Sequence, residues 1–226
     1  MEWAHPRTQP ACTPVRARSR GVTDVQNGRN RLASLLRFPA LALSLCGVWA
    51  HSPQVPAAAV GDELKNGEVR DGSNKPATLP SFGERVLLIL YTDPDVANQN
   101  DAFADLIKAA GLPKSHFQSM GVANMKDAPL KPDWIIRSIV RKKIDKYGVT
   151  ILTDPSHLLI DQWGLGDCNN KSVVLIIGKD KKLHFFEKGA LSTEKAQAAL
   201  AKLCQLIAAD GGPEGAGCQA AAKPAN

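Results

Sequence analysis

The chain has 226 residues, 44% of them apolar and 22% charged. It is long enough for one domain of ordinary size, and its composition is that of a globular protein. Its formal charge of +6 suggests nucleic acid, but the distribution weakens that reading: residues 1–50 hold seven Lys/Arg against two Asp/Glu, and residues 51–226 hold 21 against 20. The folded part is nearly neutral, whereas duplex binding needs a concentrated basic face.

The basic segment reads as a targeting sequence. Arg29, Arg31 and Arg37 precede an apolar run from Phe38 to Val48. The run falls short of the roughly 20 residues that span a bilayer and suits the h-region of a secretory signal peptide. Small residues around Val48-Trp49-Ala50 predict cleavage near Ala50, with the product periplasmic or secreted. Contact with the membrane is then transient, through the signal peptide. Secretion would remove Cys12 and Cys46 and leave Cys168, Cys204 and Cys218. That odd number permits one disulfide at most. There is no CxxC and no Cys/His cluster at metal spacing, so no metal or cofactor is expected.

Residues 51–66 are polar and rich in Pro and Ala and read as a linker. Glu68-Val69-Arg70 enters a turn at Asp71-Gly72 and returns through Ala77-Thr78-Leu79, an N-terminal β-hairpin. Val86 to Tyr91 is an uninterrupted apolar strand, stopped by Thr92-Asp93-Pro94-Asp95. A helix follows through Phe103, Leu106, Ile107 and Ala110, ending near Gly111. A weaker strand covers about 118–123. Pro132 opens a second helix with Ile136, Ile139, Val140, Ile144 and Tyr147 on one face and Arg137, Arg141, Lys142 and Lys146 on the other. Val149 to Thr153 is the next strand, and a short apolar turn follows to Trp163. Val173 to Ile177 and Leu183 to Phe186 form a hairpin across Gly178-Lys179-Asp180-Lys181. Ser192 caps a last helix, and residues 211–226 read as a disordered tail. The domain is therefore 67–210. Alternating strands and helices closed by a hairpin predict a three-layer α/β sandwich with a mixed sheet.

The chain from Val60 to about Ala209 resembles the redoxin branch of the thioredoxin fold. The resemblance is carried by Val69-Arg70-Asp71-Gly72, the Val86 strand, Thr153-Asp154-Pro155, Gly178-Lys179-Asp180 and Gly189-Ala190-Leu191. Leu112-Pro113, Asn124, the basic second helix, Trp163, Ser172-Val173-Val174 and Lys188-Gly189-Ala190-Leu191 resemble the YtfJ family of small bacterial periplasmic proteins more closely. The resemblance implies a thioredoxin-like α/β/α fold. It also implies where a redox site would lie, in the loop after the Val86 strand and at a cis-proline just before the hairpin.

Both places lack the expected residue. Thr92 to Asn100 contains no Cys, Ser or His, and Lys171-Ser172 stands where the proline belongs. Thiol–disulfide exchange is therefore expected to be lost, and the corner of Thr92, Asp93, Asp95, Asn98, Lys171 and Ser172 to act by binding a periplasmic protein or a small ligand. Asp and Asn at a helix start also serve as caps, the commoner use. Cys168 lies in a polar loop near the same corner. It reads as a loop thiol or as the partner of Cys204 or Cys218, with a displaced catalytic thiol as the alternative; a thiol oxidoreductase or peroxiredoxin-like enzyme would use it. Cys204, on the apolar face of the last helix, reads as a core residue.

Overall fold

The computed structural model describes residues 56–128, 132–213 and Cys218, all within one unit, His51–Asn226. The expected targeting segment, its cleavage point and most of the tail lie outside the described residues.

Seven strands form one sheet: β1 (Glu68–Arg70), β2 (Pro76–Thr78), β3 (Val86–Thr92), β4 (Phe117–Asn124), β5 (Thr150–Asp154), β6 (Ser172–Ile177) and β7 (Leu183–Lys188). Their order across the sheet is β2-β1-β5-β4-β3-β6-β7. β3, β4 and β5 run parallel, while β6, β7 and the hairpin β1–β2 pair antiparallel at the two sides. The helices are α1 (Asp101–Ala110), α2 (Asp133–Tyr147), α3 (Leu158–Trp163) and α4 (Thr193–Ala209). The observed architecture is the three-layer α/β/α sandwich with a mixed central sheet and N-terminal hairpin expected of a thioredoxin-like chain.

β3 lies inside the sheet because every residue from Val86 to Ile89, and Tyr91, is buried. Pleating sends alternate side chains to opposite faces. Leu87, Ile89 and Tyr91 join Leu159, Trp163, Val173 and Leu175 in one core. Val86 and Leu88 join Phe103, Ile107, Val174 and Leu203 in the other, beneath α1 and α4. Each fully buried aliphatic side chain contributes about 1.5–3 kcal/mol, so a strand filled on both faces anchors both layers. α1 and α2 end at Gly111 and Gly148 in the left-handed conformation (φ 58° and 62°), which costs a residue with a Cβ about 1–2 kcal/mol.

Three sequence expectations change in the structure. Residues 58–64, read as linker, hydrogen-bond to the domain: Ala58 N donates to Gly164 O, Gly61 N to Leu183 O and Leu64 N to Lys181 O, and the Leu64 side chain is buried. Cys204 is half-buried and disulfide-bonded to Cys218, so it is not a free core thiol, and the tail is tied to α4 at that residue. Cys168 is the free cysteine among the described residues, and it is buried. A turn of polar residues surrounds it in sequence, but its own side chain points into the core.

Candidate functional site

The corner after β3 is held by a carboxylate. Asp93 is fully buried and its Oδ1 accepts the N–H of Asp95 at 2.8 Å, capping the single 3-10 turn Pro94–Val96. Its Oδ2 accepts the N–H of Asn170 at 2.8 Å, and its own N–H donates to Lys171 O at 3.1 Å. Asp93 thereby ties the loop before α1 to the loop before β6. The sequence allowed a cap or a ligand at this position, and the cap is what the geometry shows.

The neighbouring residues complete the join. Thr92 and Ser172 are register partners across β3 and β6, with Oγ1 and Oγ 2.9 Å apart. Ser172 N donates to Gln99 Oε1 at 2.7 Å, and Asn100 bridges to Gly189 O and Leu191 N. Lys171 turns its ammonium to the Asp167 carboxylate, and that ion pair holds the Asp167 carboxyl below its ordinary range. Asp95 and Asn98 are exposed on the loop. No cis peptide occurs among the described residues. Thr92, Asp93, Lys171 and Ser172 are therefore assembled, joined by the Thr92–Ser172 and Asp93–Lys171 hydrogen bonds and tied through Asp95, Gln99 and Asn170 to the loops on either side. Replacing Asp93 by Ala strands two backbone donors, and urea denaturation is expected to show a loss of about 2–3 kcal/mol. Asp93→Asn, which keeps one acceptor, is expected to lose less.

Cys168 joins this corner only through its backbone, where its carbonyl accepts the Lys171 N–H at 3.2 Å; its side chain turns away. It packs with Tyr91, Leu165 and Val173 on one face of the sheet, while Thr92 and Ser172, one residue on along their strands, face the other. Its Sγ lies 3.3 Å from Gly166 O. Burial pushes the thiol up to about 11, opposed only in part by the Lys188 charge. A nucleophilic cysteine needs the opposite shift.

Sequence reading missed two features. One is a polar cluster at the ends of β4 and β5. Asp154 is fully buried and accepts from Tyr91 Oη and from the N–H groups of Ser156, Leu158 and Leu159. Beside it, Asp127 binds Asn124 Nδ2 at 2.6 Å and His157 Nε2 at 2.8 Å. His157 stands in the left-handed region (φ 64°). Asp154, three residues earlier, supplies the cap that His157 does not. Burial first, and then the Asp154 charge, push the Tyr91 phenol well above its ordinary pKa.

The second is a cavity of about 580 Å³ between α1, α2 and the sheet, which reaches the corner at Thr92, Pro94 and Ser172. Its floor includes Ser119, Gly121 and Ala123 on β4. Small residues at every second position were the available signal, legible only once the face was known. Among the described residues no group of three or more His, Cys, Asp or Glu is placed to hold a metal.

A family described as "Bacterial protein of unknown function (YtfJ_HI0045)" has a model that matches residues 84–206, more than half of the chain. The chain belongs to the YtfJ family. The curated "Uncharacterized protein YtfJ" of Escherichia coli (strain K12) is 24% identical over 124 residues, which cover 54% of this chain and 66% of that relative. The chain thus spans just under two thirds of the length of that YtfJ protein. Among solved structures it is similar to a peroxiredoxin-like protein from Aquifex aeolicus, at 16% identity and a TM-score of 0.49, covering 68% of this chain and 91% of the other. It is also similar to the thioredoxin domain of a thiol-disulfide oxidoreductase from Bacteroides vulgatus, at 10% identity and a TM-score of 0.48, covering 65% and 98%. In this YtfJ-family chain the loop from Thr92 to Asn100 contains no cysteine, and its buried carboxylate is engaged as a cap.

Proposed function

We propose that this YtfJ-family protein is a binding or accessory module of the periplasm or cell exterior, with no thiol–disulfide exchange of its own. The observation that carries this reading is the content of the corner after β3. A capping carboxylate, Asp93, occupies a fold position where a redox enzyme needs a thiolate. The side chain of the free cysteine among the described residues turns away from this corner into the core, buried and with a raised pKa. The apolar run before Ala50 supports export, and the near-neutral charge of residues 51–226 argues against nucleic acid as partner.

The test is turnover. Purified protein is expected to reduce neither insulin with dithiothreitol nor hydrogen peroxide above the rate of the Cys168→Ser variant. Robust turnover abolished by Cys168→Ser would overturn the reading and assign a thiol enzyme built on Cys168. Cell fractionation checks the compartment: recovery in the periplasmic fraction is expected, and cytoplasmic retention would contradict it.

A further inference from the structure

A parallel strand with neighbours on both sides is ordinarily covered on both faces. β4 is not. Met120, Val122 and Asn124 are buried on one face, while Ser119, Gly121 and Ala123 on the other are only half-buried. Of their register partners, Leu90, Thr92 and Ile151 are half-buried too, while Leu88, opposite Ser119, is buried. Two causes combine. The floor lacks the methyl groups that would fill the space. And α2 stands away from it: Ile136 is buried, but Ile139, Val140 and Tyr147 only partly, and Ile144 is 40% exposed. Ion pairs join α2 to α1, Lys143 to Asp101 and Lys146 to Asp105. The resulting cavity of about 580 Å³ lies within the range of small-molecule pockets, about 300–1,000 Å³. An apolar occupant would take these walls out of water, which is favourable.

Shape and charge select that occupant. The cavity lining extends from Arg85 and Lys114, just before β3 and β4, to Thr92 and Ser172 at the other end. This is the length of β3, roughly 20 Å at about 3.3 Å per residue. Between the ends the walls are mostly apolar, with Leu88, Leu90, Ile107, Val140 and Ile151 among them, and Asn100, Gln118 and Ser119 adding a few polar groups. The acidic residue on the lining, Asp101, is paired with Lys143. Lys108 donates to Lys146 O. Arg85 and Lys114 enter no ion pair among the described residues, and Arg85 is half-buried, where a guanidinium binds a carboxylate through two parallel hydrogen bonds.

We propose that this cavity binds a free long-chain fatty acid, the chain lying between α1, α2 and the sheet and the carboxylate at Arg85 and Lys114. The inference rests on the binding reading above and gives it a ligand class. The probe is 11-(dansylamino)undecanoic acid, titrated into the full chain and followed by dansyl fluorescence. Saturable enhancement is expected, displaced by dodecanoate better than by dodecanol and not by dodecylamine. The double variant Arg85→Gln/Lys114→Gln removes both charges and keeps a polar side chain at each position, neither of which is in the buried core. It is expected to weaken dodecanoate by about tenfold or more while leaving dodecanol within about twofold, the value of a charge-assisted contact. Ala123→Leu, its fold checked by circular dichroism, is expected to abolish displacement by both. Absence of saturable enhancement, equal displacement by dodecylamine, or binding only to phosphatidylglycerol vesicles would each overturn the assignment. The two readings fail separately. Thiol turnover would overturn the binding reading, whereas a protein without turnover that also ignores the probe would overturn the fatty acid alone.

Discussion

Modification of Cys168 by a maleimide in the folded protein is expected to be at least about 100-fold slower near neutral pH than modification of the same cysteine in denaturant. Two observations set that factor. The thiol pKa is raised from 9.0 to about 11, and each unit removes tenfold of the reactive thiolate. The side chain is also 1% exposed, so a bulky reagent must wait for local opening. The cysteine-containing peptide, read by mass spectrometry, separates Cys168 from the other cysteines. The pH dependence has a defined sign. A pKa higher in the folded than in the unfolded state means that the folded state holds the proton more tightly, so this contribution to stability is complete below pH 9 and lost as pH rises toward about 11. Tyr91, also raised, acts in the same direction at higher pH. Fast labelling of native Cys168 at pH 7 would contradict the burial and revive a catalytic role.

Asp154→Ala is expected to destabilise the domain by about 3–4 kcal/mol in urea denaturation, the largest effect of any single polar truncation considered. For a domain of this size that corresponds to roughly 10 °C in Tm. The carboxylate is fully buried, and its four donors come from two elements. Tyr91 Oη reaches it from β3 at 3.1 Å, while Ser156, Leu158 and Leu159 offer backbone N–H groups at 3.2, 2.8 and 2.9 Å at the start of α3. Alanine would orphan Tyr91 and the first turn of the helix together. Asp154→Asn keeps one carbonyl acceptor and is expected to recover part of the loss. Tyr91→Phe removes one donor without stranding the backbone groups and is expected to cost about 1 kcal/mol. If Asp154→Ala were neutral, this polar knot would not hold α3 to the sheet.

The two buried aspartates do parallel work. Asp93 and Asp154 follow β3 and end β5, and each caps the turn or helix after its strand. Asp154-Pro155 and Asp93-Pro94 both read in the sequence as turns. Neither reading distinguished a cap facing solvent from a buried one, because depth depends on what packs above the turn. The same limit explains Cys168. The loop Asp167-Cys168-Asn169-Asn170-Lys171 is polar at four positions of five. The fifth side chain is turned into the core by chain direction, which local composition does not encode. Cys204 is the converse: helical spacing placed it on an apolar face, but only the fold brings Cys218 within bonding distance.

The sequence by itself determined the order of the elements, the apolar strand from Val86 to Tyr91, the stops at Gly111 and Gly148, the Ser192 cap and the family. It also determined that the corner after β3 lacks a thiol. These are properties of periodicity, turn chemistry and residue identity, which act over a few neighbours in the chain. Only the tertiary structure decided that Asp93 spends its carboxylate on two loops 77 residues apart, that the Cys168 side chain turns from the corner into the core, and that Ser119, Gly121 and Ala123 floor a cavity beneath α1 and α2. Those outcomes depend on which face of a strand meets which helix and how closely the layers approach. Such distances arise from packing between segments remote in sequence, and no single segment carries them.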